Sequence, residues 1–236
     1  FAAAALVWFL VPPRRHAGDA SNGLFHGAAS VLKRPLVWAQ AAVILCAYCG
    51  FKGLDNYSLY AVQVLGMDEV DGAKLATFAS YIRPVAAVGA GLLADRWAVG
   101  KTAGLVFTVM LVSYLPLSFL LPDGAAIFVI YVSLLVSMFA VFALRGVYFA
   151  LFEENHVPPH LTGAVAGTVS FVGFTPEIFF GPITGRILDA NPGVVGHQNY
   201  FLFLAAVAAV GLVVVAWLLA LQRRQPDSHE SRHDLD

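Results

Sequence analysis

The stretch that decides the fold is YIRPVAAVGAGLLADRWAVGK, Tyr81 to Lys101. It is apolar for most of its length, yet it carries Arg83 beside Pro84 near its start and the charged pair Asp95-Arg96 near its end. Ordinary strands cannot hold so long a continuous apolar run, and an ordinary soluble helix has a polar face that this one lacks. A helix in lipid explains both the length and the position of the terminal charges, which then lie at the membrane surface.

The rest of the chain agrees. Of its 236 residues 59% are hydrophobic and 12% charged, and mean hydropathy is +0.74. Soluble domains carry about 25% charged residues, so this composition points to an integral membrane protein. Apolar segments follow one another at Leu36–Leu65, Gly72–Ala94, Thr102–Leu121, Ala125–Phe152, Leu161–Leu188 and Tyr200–Leu221. Each reaches the ~20 residues a helix needs to cross the hydrocarbon core. Membrane strands alternate over only about ten residues, which excludes a barrel reading of these runs. The expected fold is an all-α membrane protein with a six-helix transmembrane domain over residues 36–221.

Outside that domain, Phe1–Val11 reads as the end of a helix that begins upstream. Pro12–Pro35 reads as a cytoplasmic loop and the polar residues 222–236 as a disordered cytoplasmic tail. Lysine and arginine concentrate in that loop, in Asp95–Lys101 and in the tail, whereas the alternate breaks carry Asp68, Glu69, Asp71, Asp123 and Asp189. The positive-inside rule then places both ends of the six-helix unit in the cytoplasm. The Glu153–His160 loop departs from the pattern by being acidic, and Lys74 and Arg186 depart from it as cations near the opposite side.

The segment Gly91-Leu-Leu-Ala-Asp95-Arg96-Trp-Ala-Val-Gly100-Lys101 resembles the G-x-L-A-D-R-x-G-R/K signature of the major facilitator superfamily (MFS). It differs in the longer spacing between Arg96 and Gly100. Gly181-Pro182-Ile-Thr-Gly185-Arg186 is similar to the glycine-proline segments of the same transporters. The resemblance covers the whole chain as the C-terminal half of such a protein. It implies a missing N-terminal six-helix half and a plasma (inner) membrane location; the excess of arginine over lysine and the abundant alanine fit a GC-rich bacterial genome. It also implies secondary transport of a small solute by proton-coupled alternating access, with Gly91, Asp95, Arg96, Gly100 and Lys101 as a conformational motif. Such halves bind substrate near the bilayer midplane.

Charges inside lipid are costly and face a cavity or a partner. Arg83 lies twelve residues before Asp95, about 18 Å of helix rise from the cytoplasmic end. Pro84 is expected to loosen its helix one turn earlier. The first complete span carries Tyr48, Lys52, Asp55, Asn56 and Tyr60 at helical spacing, and Gly50 and Gly53 are expected to interrupt it. Arg145 sits in the fourth span and Glu177, beside Pro176, in the fifth. Three cations (Lys52, Arg83, Arg145) against two acids (Asp55, Glu177) favour an anionic solute, since carboxylate, phosphate and sulfonate groups pair well with arginine. Tyr48, Lys52, Asn56, Tyr60, Arg83 and Arg145 are the candidate substrate contacts, and Asp55 and Glu177 the candidate proton carriers. Lys52–Asp55 pairing at i, i+3 is the structural alternative.

Other features carry less. Cys46 and Cys49 lie in an apolar helix and are expected to pack. Gly163-x-x-x-Gly167 and Gly181-x-x-x-Gly185 suit close helix contacts. His156 and His160 are separated by two prolines, which spoils a helical metal face, and His229 and His233 lie in the tail. No metal site, cofactor or catalytic constellation is expected, and no enzyme activity. The basic clusters are short and juxtamembrane, which fits lipid headgroups, not nucleic acid. The expected partners are the solute, protons and the bilayer. An exporter of neutral or drug-like metabolites, and a non-transporting receptor or scaffold of the same fold, are the other functions these features fit.

Overall fold

The computed structural model describes residues 32–151 and 162–223. The expected helix end at Phe1–Val11, nearly all of the Pro12–Pro35 loop, the Glu153–His160 loop with its two histidines, and the tail with His229 and His233 lie outside them. Among the described residues the regular structure is helical: α1 (Pro35–Gly53), α2 (Tyr57–Gln63), α3 (Glu69–Trp97), α4 (Val99–Phe119), α5 (Ala126–Val147), α6 (Thr162–Gly173), α7 (Pro176–Ala190) and α8 (Val194–Gln222). They supply six stretches long and apolar enough to cross a membrane: α1 with α2, α3, α4, α5, α6 with α7, and α8. The protein is an all-α membrane protein.

The helix starts follow local chemistry. Pro35 opens α1, where its missing N–H costs nothing. The Asp68 carboxylate accepts from the Asp71 N–H at 2.7 Å and caps α3. Lys74 closes on Asp71 at 2.6 Å in the same first turn. Both acids also sit favourably at the positive end of the helix dipole.

Cross-contacts define two ends of the bundle. At one, Gln63 of α2 meets His197 of α8, and Gln198 reaches the Leu120 carbonyl after α4. At the other, Gln40 of α1 bonds the Leu151 carbonyl, and Gly100 of α4 lies against Leu219 of α8. A Cβ on Gly100 would stand 2.7 Å from Leu219 Cδ2, so α4 and α8 approach closely because this position is glycine. The core between them is built on Ile44, Tyr57, Phe107, Tyr114, Tyr200 and Phe201, all fully buried. Cys46 and Cys49 are buried, unbridged thiols in this packing, as expected for small apolar side chains.

Pro84 lies inside α3, which is helical from Glu69 to Trp97. Three sequence expectations need correction. Of the two glycines expected to interrupt the first span, Gly53 ends α1 but Gly50 does not interrupt it; its lack of a Cβ makes room for Met110 of α4. The connection after Arg96 is not a loop reaching Lys101. It is the single residue Ala98, and Gly100 and Lys101 already belong to α4. Ala98 has φ 81°, a conformation that favours glycine, and it occupies the place that the D-R-x-G signature fills with glycine. Finally, Gly91, Gly163, Gly167, Gly181 and Gly185 make no close helix contact: a Cβ at any of them would meet nothing within 4 Å among the described residues.

Candidate functional site: a charged cluster at two helix breaks

Two spans are interrupted, the first about two thirds along and the fifth near its middle, for different local reasons. In the first, α1 ends at Gly53, a 3₁₀ turn follows at Leu54–Asn56, and α2 resumes at Tyr57. The Gly53 carbonyl accepts from the Tyr200 hydroxyl at 2.6 Å, and the same hydroxyl accepts from Asn56 Nδ2 at 3.3 Å. A side chain from α8 thus satisfies the backbone group that the break exposes, as lipid requires. In the fifth span, Pro176 cannot donate the N–H that a continuous helix would aim at the Val172 carbonyl, although Thr175 itself keeps helical torsions. The chain closes the gap with short-range bonds from Thr175 N–H and hydroxyl to the Val172 carbonyl, at 3.2 and 2.7 Å.

The second break packs against α1 about two to three turns before the first break. Gly173, at the end of α6, fits against Ile44 of α1, where a Cβ would stand 2.5 Å from Ile44 Cγ2. Just beyond it the Tyr48 ring packs edge-on to Phe174, with centroids 4.9 Å apart. This brings the ionisable groups of both spans together. The Tyr48 hydroxyl donates a short hydrogen bond to the Glu177 carboxylate. Lys52 Nζ lies 2.6 Å from Asp55 and 3.5 Å from Glu177. One ammonium is therefore shared by two carboxylates, one from each broken span.

Arg145 of α5 joins this cluster from the side. Its guanidinium stacks over the Phe51 ring at 3.9 Å and lies 5.9 Å from the Tyr48 centroid. It forms no ion pair among the described residues, and neither does Arg83. Arg83 is exposed at the middle of α3, fourteen residues from either end. Both arginines lie within electrostatic reach of the buried Tyr148 hydroxyl. The paired acids remain half-exposed, at 57% for Asp55 and 53% for Glu177. Carboxylates at this depth cannot face hydrocarbon, so this side of the bundle borders water, a ligand or further protein.

Of the residues singled out in the sequence, Tyr48, Lys52, Asp55, Arg145 and Glu177 thus form one constellation. Asn56 stands beside it but is turned to Tyr200. Tyr60 lies apart: it is 2% exposed and packs edge-on to His197 and Phe201. In this conformation its ring is closed to any solute. The Gly91–Lys101 motif sits at the end of α3 and the start of α4, away from the cluster.

Several polar residues escaped the sequence reading. His197 is buried with Nε2 3.0 Å from Gln63 Oε1. Tyr57 shares a 2.7 Å hydrogen bond with Ser137 of α5. Tyr200 supports the first break, as described above. His197, Tyr57 and Tyr200 lie in apolar runs, and no spacing on their own helices marks a partner 80 or more residues away.

No family model matches the chain. It is similar to two curated proteins of Escherichia coli (strain K12). The inner membrane protein YihN is 27% identical over 209 residues, which cover 80% of this chain and 46% of the relative. The inner membrane protein YqcE is 26% identical over 235 residues, covering 94% of this chain and 54% of the relative. The chain spans about half the length of the curated relatives it matches. Its six spans and these relatives place it in a bacterial inner membrane.

Proposed function

We propose that the chain is the C-terminal half of a secondary transporter of the major facilitator type. In this reading it carries a small organic anion through proton-coupled alternating access. The observation that carries the reading is the cluster of Lys52, Asp55, Glu177 and Arg145, with its two acids half-exposed, drawn from two interrupted spans and α5. Interrupted spans that place charge near the midplane are the usual construction of a transporter binding site. Arg83 and Arg145, without an ion pair among the described residues, supply positive charge that a carboxylate, phosphate or sulfonate group would neutralise. Tyr48, Lys52 and Asn56 would line the same site, with Tyr60 reached only after repacking. Glu177 and Asp55, both held by Lys52, would accept the coupled proton when a substrate anion draws the lysine away.

The half-length match to the relatives supports a second bundle as partner. So does uneven burial: the second and fifth spans are 17% and 28% buried, against 72% for the first. The open glycines of α3, α6 and α7 lie on these two spans. A second six-helix unit packed there would cover the charged cluster and make a cavity of it. The Gly91–Lys101 turn would then act at the interface between the two units as a conformational latch.

The test is substrate counterflow in proteoliposomes containing the full-length protein, with a panel of organic anions and uncharged analogues. Arg83→Gln and Arg145→Gln should each abolish anion exchange while the protein stays folded in detergent. Unchanged anion selectivity in both variants would overturn the anion reading. A second reading, export of neutral metabolites, is favoured by the mutual neutralisation of Lys52, Asp55 and Glu177; it predicts that uncharged analogues exchange in both variants. A protein that binds solute in detergent but never moves it in liposomes would instead be a receptor of the same fold.

A further inference from the structure

The second half of the fifth span and the start of the sixth border a shallow, open groove of about 520 Å³ on a different flank of the bundle. Its α7 wall includes Arg186. Glu177 and Arg186 are nine positions apart on that helix, which is two and a half turns at 3.6 residues per turn. They therefore point to opposite sides. The groove looks away from the charged cluster, toward the surrounding bilayer.

Its lining is graded with depth. Arg186 lies four residues before the end of α7, about 6 Å of rise from it, and so at the headgroup boundary. Asn191 and Asn199 flank the groove at that level, and Leu202, Phe203 and Ala206 continue it along α8 into the hydrocarbon. Phe180 of α7 packs on Phe203, with ring centroids 6.0 Å apart. Arg186 is exposed and forms no ion pair among the described residues, although Asp189 stands three positions on. With Lys74 it also stands against the charge pattern of its membrane face, where the breaks carry Asp68, Glu69, Asp71, Asp123 and Asp189. Unlike Lys74, which is paired to Asp71, this guanidinium has no ion pair among the described residues.

We propose that this groove binds one anionic phospholipid from the leaflet opposite the Ala98 turn. The phosphate lies on Arg186, whose planar fork suits phosphate oxygens. Asn191 and Asn199 donate to the same headgroup, and an acyl chain runs along Leu202, Phe203 and Ala206. The graded polarity selects an amphiphile over a free anion, which would have no use for the apolar wall. This binding is independent of what the bundle transports.

Native mass spectrometry of the full-length protein, titrated with phosphatidylglycerol and with phosphatidylcholine, tests it. Both lipids offer the phosphate, but choline sets its own cation beside Arg186 and glycerol does not, so the wild type should retain phosphatidylglycerol about tenfold better, a difference of about 1.4 kcal/mol. Arg186→Gln should abolish that preference, Asp189→Asn should increase it, and Ala206→Trp should displace both lipids by filling the groove. Arg223→Gln, at the other membrane face, should change nothing. Retention of the preference in Arg186→Gln, or displacement of the lipid by excess inorganic phosphate, would overturn the assignment. Circular dichroism and the melting temperature of each variant separate loss of binding from loss of fold.

Discussion

The Tyr48 hydroxyl donates to the Glu177 carboxylate across two interrupted spans, and Lys52 reaches the same carboxylate from one turn further along α1. Glu177 is thus held from the opposite helix by two donors of different kind, a neutral phenol and an ammonium. The geometry separates two tasks, holding the carboxylate in place and setting its charge.

That separation is testable. Glu177→Gln keeps a hydrogen-bonding partner for Tyr48 but removes the titrating group. If the carboxylate carries the coupled proton, this variant retains counterflow and loses uptake driven by a pH gradient. Tyr48→Phe should weaken both, because it releases the side chain while leaving the charge. Gradient-driven uptake intact in Glu177→Gln would assign coupling elsewhere.

Arg145 has an aromatic surface where an acid might be expected, stacked on Phe51 at 3.9 Å. Such contacts are worth about 0.5–2 kcal/mol. Phe51→Leu should therefore raise KM for an anionic substrate by roughly two- to thirtyfold, with little change in kcat, since the guanidinium loses its orientation and keeps its charge. A kcat defect at unchanged KM would place Phe51 in the conformational cycle instead.

At the other end of α2, His197 and Gln63 are each other's side-chain partners in a buried setting, at 3.0 Å. Gln63→Leu strands a buried imidazole, at a cost of about 1–3 kcal/mol. The melting temperature in detergent should fall. The double variant Gln63→Leu with His197→Phe should recover much of the loss, because replacing both partners removes the unmet hydrogen bond. Additive loss in the double variant would contradict the pairing.

Ala98 holds a backbone conformation with φ 81° and ψ 143°, for which a side chain costs about 1–3 kcal/mol. Ala98→Gly should raise thermal stability unless the added freedom of the unfolded chain cancels the gain. Ala98→Val should lower it. Equal stability of alanine, glycine and valine at this position would mean that the turn is unstrained.

The six spans were legible because each is a long apolar run, and the breaks between them because charges and prolines mark them. Lys52 and Asp55 were legible as an i, i+3 pair on one helix. Glu177 was visible only as a costly residue in lipid: its bonds to Tyr48 and Lys52 bridge about 125 residues of chain, and no periodicity reports such a distance. Gly50 and Gly53 were both expected to interrupt the first span, and the break follows Gly53 alone. Glycine marks permissive backbone, whereas the actual break lies where Tyr200, from the last helix, can satisfy the freed Gly53 carbonyl. The place of Gly91–Lys101 at the end of its span was read directly, but not its turn, because alanine conceals a conformation usually advertised by glycine.

The same one-residue turn has a mechanical consequence. Hinges work by spreading a rotation over several backbone torsions, and between Trp97 and Val99 there is one residue to rotate. Any tilt of α3, and of Arg83 at its centre, must therefore drag α4 with it. Gly100 passes that displacement to Leu219 with no slack between the helices. The second, third and sixth spans form a single lever, with Ala98 as its stiff elbow and Arg83 halfway along its outer arm.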